Sequence, residues 1–519
     1  MLLNLFTSQT FGIILVLLSC SGYYLSFKAH QKSNFKNAIF LLVILGLFLR
    51  LYCSFDFYLH SWDEKFHALV AKNLIGHPFK PTLYDNPVLP YDYTNWTSNH
   101  VWLHKQPFTL WSMAFSMWLF GCNEIALRFP SILLSSLSIV LTYSIGKYFF
   151  SRKIAFIAAF LFSINGLLIE LSSGRIPTDH IDSFFIFFIL MGIYLSVKFS
   201  EKKLLILNIL AGMSMGIAIL CKWLPALIIV PVWLFLVYDV RTFSRKEIIF
   251  NLIILIMTAV AVFLPWQLYS YMNYPLEYLW EQAYNTKHLY ESVENHSGSF
   301  FYFFNKLRIN YGELIYLPLI WFGREIYLNP KNYKNWAICL WITLPLVFFS
   351  FVSTKMPGYI AFIAPALFIV TAAFFDFLLK VEFKRNFFKL FRTLLAVSLI
   401  ILPIRYSIER IKPFSRTDRN PEKMCIRDRH YDVTVEIETD FSEAERNDNL
   451  KATIDYCDVY TIVVREMKIR SKLIEHAAAR IADSMMNELK GIEQLSVEVT
   501  KMAPPMNGDV GMVSVVVDR

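Results

Sequence analysis

The sequence predicts a mainly α-helical protein that crosses a membrane about twelve times and carries a small α+β fragment at its C-terminus. Three observations predict this. Hydrophobic residues make up 55% of the 519-residue chain and gather in runs long enough to span a bilayer. Every second loop between those runs is rich in Lys and Arg, as cytoplasmic loops are. Past His430 the long runs stop, and apolar residues alternate with polar ones as in strands.

The net charge of +9 conceals a division. Residues 1–423 hold 38 Lys and Arg against 23 Asp and Glu, whereas residues 430–519 hold 10 against 17. No basic face interleaved with polar groups is present, so nucleic acid is not an expected partner. The seven cysteines include no CxxC pair, and Cys20, Cys53, Cys122, Cys221 and Cys339 lie in or beside apolar runs. They read as small buried hydrophobes, with no metal or disulfide framework implied.

The first run, 3–27, has no basic leader or small-residue cleavage site and reads as a retained span. Lys28, Lys32 and Lys36 put the next loop in the cytoplasm, so the second span, 37–54, delivers the chain to the far side. Further spans are expected at 126–149, 154–172, 182–199, 204–221, 224–238, 247–268, 308–323, 335–352, 358–379 and 393–408, with 224–238 and 308–323 the shortest. The domains are then 1–410 in the membrane, a junction at 411–429, and the fragment 430–519. With alternating spans, the basic loops 147–153, 198–203, 241–246, 324–334 and 380–392 share the cytoplasmic side. The other side receives 55–125, 173–181, 269–307 and 353–357, which hold most of the unusual polar residues. A transporter would instead place such residues inside its spans near the midplane.

Asp63 and Glu64 stand together at the mouth of the second span. Phe66, Leu69, Val70 and Leu74 follow at three- and four-residue steps, which predicts an interfacial helix holding both carboxylates at headgroup height. The alternative is an acidic helix start with no further task. Lys105 precedes the apolar stretch 107–120 and is either a point charge for a phosphate or a snorkelling lysine. Arg175, Asp179, His180 and Asp182 share a tight turn, where Asp179 and Asp182 could instead cap the next helix at Ser183. His296 lies in a polar loop, and Pro357 keeps Lys355 close to the membrane surface. Trp62, Trp96, Trp102, Trp111 and Trp118 suggest that the loop 55–125 hugs the membrane, and an aromatic belt accounts for them individually.

These residues resemble the C-type (GT-C) glycosyltransferases, in particular the protein O-mannosyltransferase and aminoarabinose transferase group, glycosyltransferase family 39. The pieces are Trp62-Asp-Glu, His104-Lys105-Gln-Pro107, Asn123-Glu-Ile-Ala-Leu-Arg128-Phe-Pro130, Thr178-Asp179, His296 and Lys355-Met-Pro357-Gly-Tyr359. They cover about 37–380, with Gln106 where the family usually has a second proline. The resemblance implies a polyprenyl-phosphate sugar donor, a lipid, glycan or protein acceptor hydroxyl, and inversion at the anomeric carbon. It also implies a multi-pass protein of the bacterial inner membrane with its site on the periplasmic or extracellular face. Asp63 would be the base, and Glu64 or Asp179 would position the acceptor or tune that base. Lys105, Arg175 and Lys355 would neutralise the phosphate, with His296 alongside, and no metal or other cofactor is required.

Residues 430–519 resemble dihydroneopterin aldolase of folate synthesis through Asn447-Asp-Asn-Leu, Ile454-Asp-Tyr456, Leu473-Ile-Glu475 and Val499-Thr-Lys501. That resemblance gives Glu475 the pterin ring and gives Tyr456 and Lys501 the acid–base chemistry. The family's first strand and its early glycine-histidine and glutamate region are missing, so the expectation is a folded but inert fragment. Met424-Cys-Ile-Arg-Asp-Arg429 matches a translation of the transposon end used to prepare sequencing libraries. The join therefore reads as a chimera of two genes, the alternative being a genuine fusion with one span miscounted.

Overall fold

A computed structural model describes residues 9–56, 58–60, 63–85, 90–95, 99–175, 179–293, 296–412, 431–447, 453–469, 471, 473–502 and 512–519. Trp62, Trp96, Thr178, residues 448–450 of the tail motif and the junction residues 424–429 lie outside them, as does the side chain of Asp179. The chain forms two units: residues 1–81 with 103–423, and residues 82–102 with 424–519.

The first unit is helical throughout. A hairpin of α1 (Gln9–Gln31) and α2 (Phe35–Ser54) opens it. Asn34 starts α2 by accepting a hydrogen bond from the Asn37 amide. Two short helices follow, α3 (Asp63–Gly76) and α4 (Pro107–Phe120), the latter begun by a proline at its first position. Then come α5 (Glu124–Phe149), α6 (Arg152–Ile164), α7 (Gly166–Ser172), α8 (Asp179–Lys202) and α9 (Leu205–Lys222). Asn123 and Ser151 cap α5 and α6. The remainder is α10 (Ile229–Val240), α11 (Arg245–Asn273), α12 (Pro275–Tyr290), α13 (Tyr302–Tyr311), α14 (Tyr316–Leu328), α15 (Tyr333–Phe351), α16 (Ala364–Lys380) and α17 (Asn386–Ile411).

Among the described residues, nine helices are long and apolar enough to cross a membrane, or ten if α6 and α7, bent by 54°, count as one span. The differences from the expected spans have local causes. The span expected at 154–172 breaks at Asn165, whose side chain accepts from the Leu168 amide and so starts a new helix. At 224–238 a 3-10 turn, Leu224–Ile228, uses up the first residues and leaves the 12-residue α10. The run 308–323 divides between α13 and α14 at Gly312.

One apolar core joins α2, α5, α6, α8, α9, α10, α15 and α16. The Pro357–Lys380 segment is the most enclosed, with 83% of its apolar window buried, whereas α11 has 11% buried and turns Ile253 and Met257 outward. Two glycines let α9 approach α11: a Cβ on Gly212 would sit 2.5 Å from the Leu255 carbonyl, and one on Gly216 2.7 Å from that of Ala259. Small residues at a four-residue interval are how membrane helices come close without a hydrophobic driving force.

The second unit contains the expected α+β fold. Strands β1 (Tyr431–Thr439), β2 (Ile492–Met502) and β3 (Met512–Asp518) form an antiparallel sheet in the order β1-β2-β3, with Val435 opposite Val497 and Val497 opposite Val517. Helices α18 (Ser442–Asn447), α19 (Tyr456–Lys468) and α20 (Ile474–Glu488) lie between β1 and β2 in the chain. Ile462 of α19 and Ala478, Ile481, Ala482 and Met485 of α20 pack on Leu495, Val497 and Val499 of β2.

Candidate active site

The start of α3 separates the two adjacent carboxylates. Neighbouring helical positions point about 100° apart, so Glu64 turns into the protein while Asp63 stays at its edge. The Asp63 side chain is 19% exposed and that of Glu64 0%.

Glu64 lies in a buried charge network. Arg128 on α5 donates through Nε to Oε1 at 2.7 Å and through Nη2 to Oε2 at 3.0 Å. His60 meets Oε2 with its backbone amide at 2.7 Å and its Nδ1 at 2.6 Å, and His180 Nε2 lies 3.1 Å from Oε1. The other side of the His60 ring reaches Asp56 at 3.1 Å, and Asp56 accepts from Arg175 Nε at 3.0 Å. Burial opposes ionisation of Glu64, but Arg128, His60 and His180 outweigh it and hold the carboxyl well below its usual range. Burial also opposes a charge on His60, yet Glu64 and Asp56 raise its pKa. Glu64 is thus a fixed, fully buried centre of charge, and each of these partners is a protein group.

Gly174 closes this network. Its φ is +70°, and a Cβ there would stand 2.5 Å from Glu64 Oε1 and 2.7 Å from His180 Nε2. Gly174→Ala is therefore expected to destabilise the protein by at least ~1–2 kcal/mol from the left-handed backbone alone. A lowered Tm of the detergent-purified chain is the readout, and an unchanged Tm would show that the network has slack.

Asp63 meets Lys105, with Oδ2 and Nζ 3.1 Å apart. Burial would raise the Asp63 carboxyl, but Lys105, His67 and His104 together hold it below its usual range. Gln106, where a second proline is usual in the resembled family, is buried and accepts from Gln267 Nε2 of α11 at 2.9 Å. His104 Nδ1 lies 3.1 Å from Glu281 Oε2 on α12, whose Oε1 is buried without a hydrogen-bond partner among the described residues. At the end of α12, burial first and then the neighbouring His104, Lys105 and His296 lower the His288 pKa to about 4, so its ring is neutral. The backbone of 353–355 binds here: Thr354 N donates to the His288 carbonyl at 3.1 Å and Lys355 N to that of His296 at 2.8 Å.

Sequence-predicted residues thus fall into two groups, with Glu64 and Arg175 in the buried network of Arg128, His60 and Asp56. Asp63, Lys105, His296 and Lys355 belong to segments tied together around α12. The Lys355 ammonium, however, donates to the Phe349 and Ser350 carbonyls at the end of α15, at 2.9 and 2.7 Å, and is buried. A phosphate would have to draw it away. Arg175 is occupied at two of its three nitrogens, Nε by Asp56 and Nη1 by the Arg410 and Ile411 carbonyls at 3.4 and 3.5 Å, while its Nη2 is buried without a hydrogen-bond partner among the described residues. Asp179 opens α8. Asp182 does not cap that helix at Ser183 but sits in its first turn, paired with Lys222. Lys222 lies 5.2 Å from the centre of the Tyr359 ring.

Sequence reasoning missed Asp56, His60, Glu281, His288 and Lys222. The four-residue spacing of Asp56, His60 and Glu64 was a signal, although Asp56 and His60 are not helical. Of the tryptophans, Trp102 is fully buried and so is not a plain belt residue, while Trp111 is partly exposed and donates to the Pro78 carbonyl at 2.7 Å. No group of three or more His, Cys, Asp or Glu is arranged to hold a metal among the described residues. In the tail, Tyr456 is 77% exposed and lines a groove of about 660 Å³ with Tyr431, Tyr460 and Met467. Neither Glu475 nor Lys501 lines it.

The membrane unit is a polytopic helical bundle with carboxylates and cations gathered on short helices and loops between spans. The model of the family "Dolichyl-phosphate-mannose-protein mannosyltransferase" matches residues 104–266, and that of "Dihydroneopterin aldolase" matches 427–518. An uncharacterized protein of Aquifex aeolicus is 28% identical over 65% of this chain and 64% of its own. The undecaprenyl phosphate-alpha-4-amino-4-deoxy-L-arabinose arabinosyl transferase of Yersinia enterocolitica is 27% identical over 51% of this chain and 48% of its own. The chain therefore spans about half the length of that transferase. Among solved structures, the archaeal oligosaccharyltransferase AglB from Archaeoglobus fulgidus, in complex with an inhibitory peptide and a dolichol-phosphate, aligns with TM-score 0.50 at 14% identity. That alignment covers 73% of this chain and 56% of AglB, and shares the fold. The membrane part is similar to lipid-phosphate-sugar glycosyltransferases, and the tail to dihydroneopterin aldolase.

Proposed function

We propose that the membrane part transfers a sugar from a polyprenyl-phosphate carrier to an acceptor hydroxyl, with inversion, on the non-cytoplasmic face of a bacterial inner membrane. The observation that carries this reading is the partly exposed Asp63–Lys105 pair. It sets a carboxylate at the first residue of α3 beside a cation two residues before α4. Asp63 takes the acceptor proton as the acceptor oxygen bonds to the anomeric carbon. The bond from that carbon to the phosphate oxygen breaks, and its electron pair leaves on the phosphate. Lys105 faces the charge that grows there, with Lys355 as a second cation once it leaves the carbonyls of α15. Asp179 positions the acceptor or tunes that base, and Arg175 acts through Asp56 and the His60–Glu64 network. His296 holds the Lys355 backbone, so its contribution is to place that lysine. The acceptor is a lipid, a glycan or a protein.

The test is sugar transfer by the full chain in liposomes supplied with a polyprenyl-phosphate sugar. Transfer is expected with wild type and about a hundredfold less with Lys105→Met. No transfer to any acceptor class, with donor bound, would overturn the assignment. The tail is read as an inert fragment, because the aldolase family's first strand and its early glycine-histidine and glutamate region are missing. Reading across residues 411–429 in unfragmented genomic DNA tests whether the two parts belong to one gene.

A further inference from the structure

We propose that the Asp63–Lys105 pair is the resting half of a partner exchange. The donor's phosphate takes Lys105, and only then is Asp63 released to accept the acceptor's proton. This rests on the reading above of Lys105 as donor cation and Asp63 as base.

The two ion pairs at the start of α3 differ in a way that suits one of them to exchange. Arg128 and Glu64 are both 0% exposed, joined two-pronged, and enclosed by His60 and His180. Lys105 and Asp63 are 25% and 19% exposed and meet through one nitrogen and one oxygen. An ammonium on a flexible stem can turn to a new anion with little rearrangement, which a forked guanidinium in a buried network cannot do. Lys105 also stands two residues before α4, where Pro107 at the first helical position fixes the local backbone and the buried Gln106 side chain is held by Gln267.

The exchange solves a chemical difficulty. While Lys105 and nearby histidines hold Asp63 below the usual carboxylate range, it is a poor base. When Lys105 moves to phosphate, burial is less opposed and the carboxylate becomes more basic. Proton uptake then strengthens only in the donor-loaded protein. As the glycosidic bond breaks, the leaving phosphate gains charge and holds Lys105 more firmly, so the pair cannot re-form before transfer is complete. The donor must bind before the acceptor is deprotonated.

The consequence is counter-intuitive: removing the catalytic base should tighten donor-side binding. Undecaprenyl phosphate is titrated into the full chain in nanodiscs, for wild type, Asp63→Asn, Lys105→Met and the double variant. Asp63→Asn is expected to bind about fivefold more tightly than wild type at low salt, the scale of one partly exposed ion pair. In the Lys105→Met background the same substitution is expected to change binding little, because no pair remains to be broken. Equal tightening in both backgrounds would mean simple repulsion between carboxylate and phosphate, and would overturn the exchange. So would no tightening at all in a wild type that transfers sugar. If wild type binds no polyprenyl phosphate, the donor reading itself fails, and the exchange with it. Asp63→Ser, run in parallel, keeps the test open should the asparagine variant fold poorly.

Discussion

Asp63→Asn is expected to lower the turnover of sugar transfer by about a hundred- to ten-thousand-fold, the usual contribution of a positioned general base. Asparagine keeps the volume and a hydrogen-bonding oxygen but cannot take a proton. Because the Asp63 side chain is only partly buried and Glu64 carries the buried network, the fold should survive. The loss should appear in kcat, with the KM for donor unchanged or lowered. Initial rates in proteoliposomes measure this, with the Tm of the variant as the folding control. Turnover within about threefold of wild type would remove Asp63 from the mechanism. A rise in donor KM with normal kcat would make it a binding residue instead.

Much of the architecture was readable because membrane constraints write themselves into composition. A span needs a long apolar run, and its orientation leaves Lys and Arg at one end. The long helices at 124–149, 245–273 and 386–411 follow directly. Where a span is interrupted, the cause is a local backbone preference, such as the Asn165 cap, that a hydropathy average does not register. The site was legible as a set of residues but not as a set of partners. Asp63 and Glu64 look alike in sequence, yet the step of about 100° between adjacent helical positions sends them to different surroundings. Lys105, Arg175 and Lys355 are three cations in loops outside the long apolar helices. Which of them meets a carboxylate and which a helix terminus depends on segments far away in the chain: Arg175 is claimed by Asp56, 119 residues earlier, and by the end of α17. Lys355 is the informative exception, since its acceptors at Phe349 and Ser350 are close in sequence. Helix C-termini offer unpaired carbonyls to any nearby lysine, and the Lys355 loop directly follows one.

Arg128→Met is expected to cost about 3–5 kcal/mol of stability, the range for breaking one side of a buried pair. Arg128 does more than neutralise Glu64. Its Nη1 donates to the Ser54 carbonyl at 2.7 Å and to that of Asp56, and its Nη2 donates to the Tyr58 carbonyl at 2.6 Å. It thereby pins the turn between α2 and α3 that presents Asp63. Replacing both members of a buried ion pair by apolar residues of similar volume often restores stability. Here it should restore only part, because Glu64→Met/Arg128→Met still leaves three backbone carbonyls without their donor, and each unsatisfied buried group costs about 1–3 kcal/mol. Arg128→Lys should fall between, since an ammonium can bind one oxygen of Glu64 and a carbonyl but lacks the fork. Tm of the detergent-purified chain ranks the three variants against wild type. Full recovery by the double methionine variant would reduce Arg128 to a counter-ion. Partial recovery, with Arg128→Lys better than Arg128→Met, would mean that the guanidinium is needed as a bracket for the loop. In that case the same variants should lose turnover in step with the displacement of Asp63, even at temperatures where they remain folded.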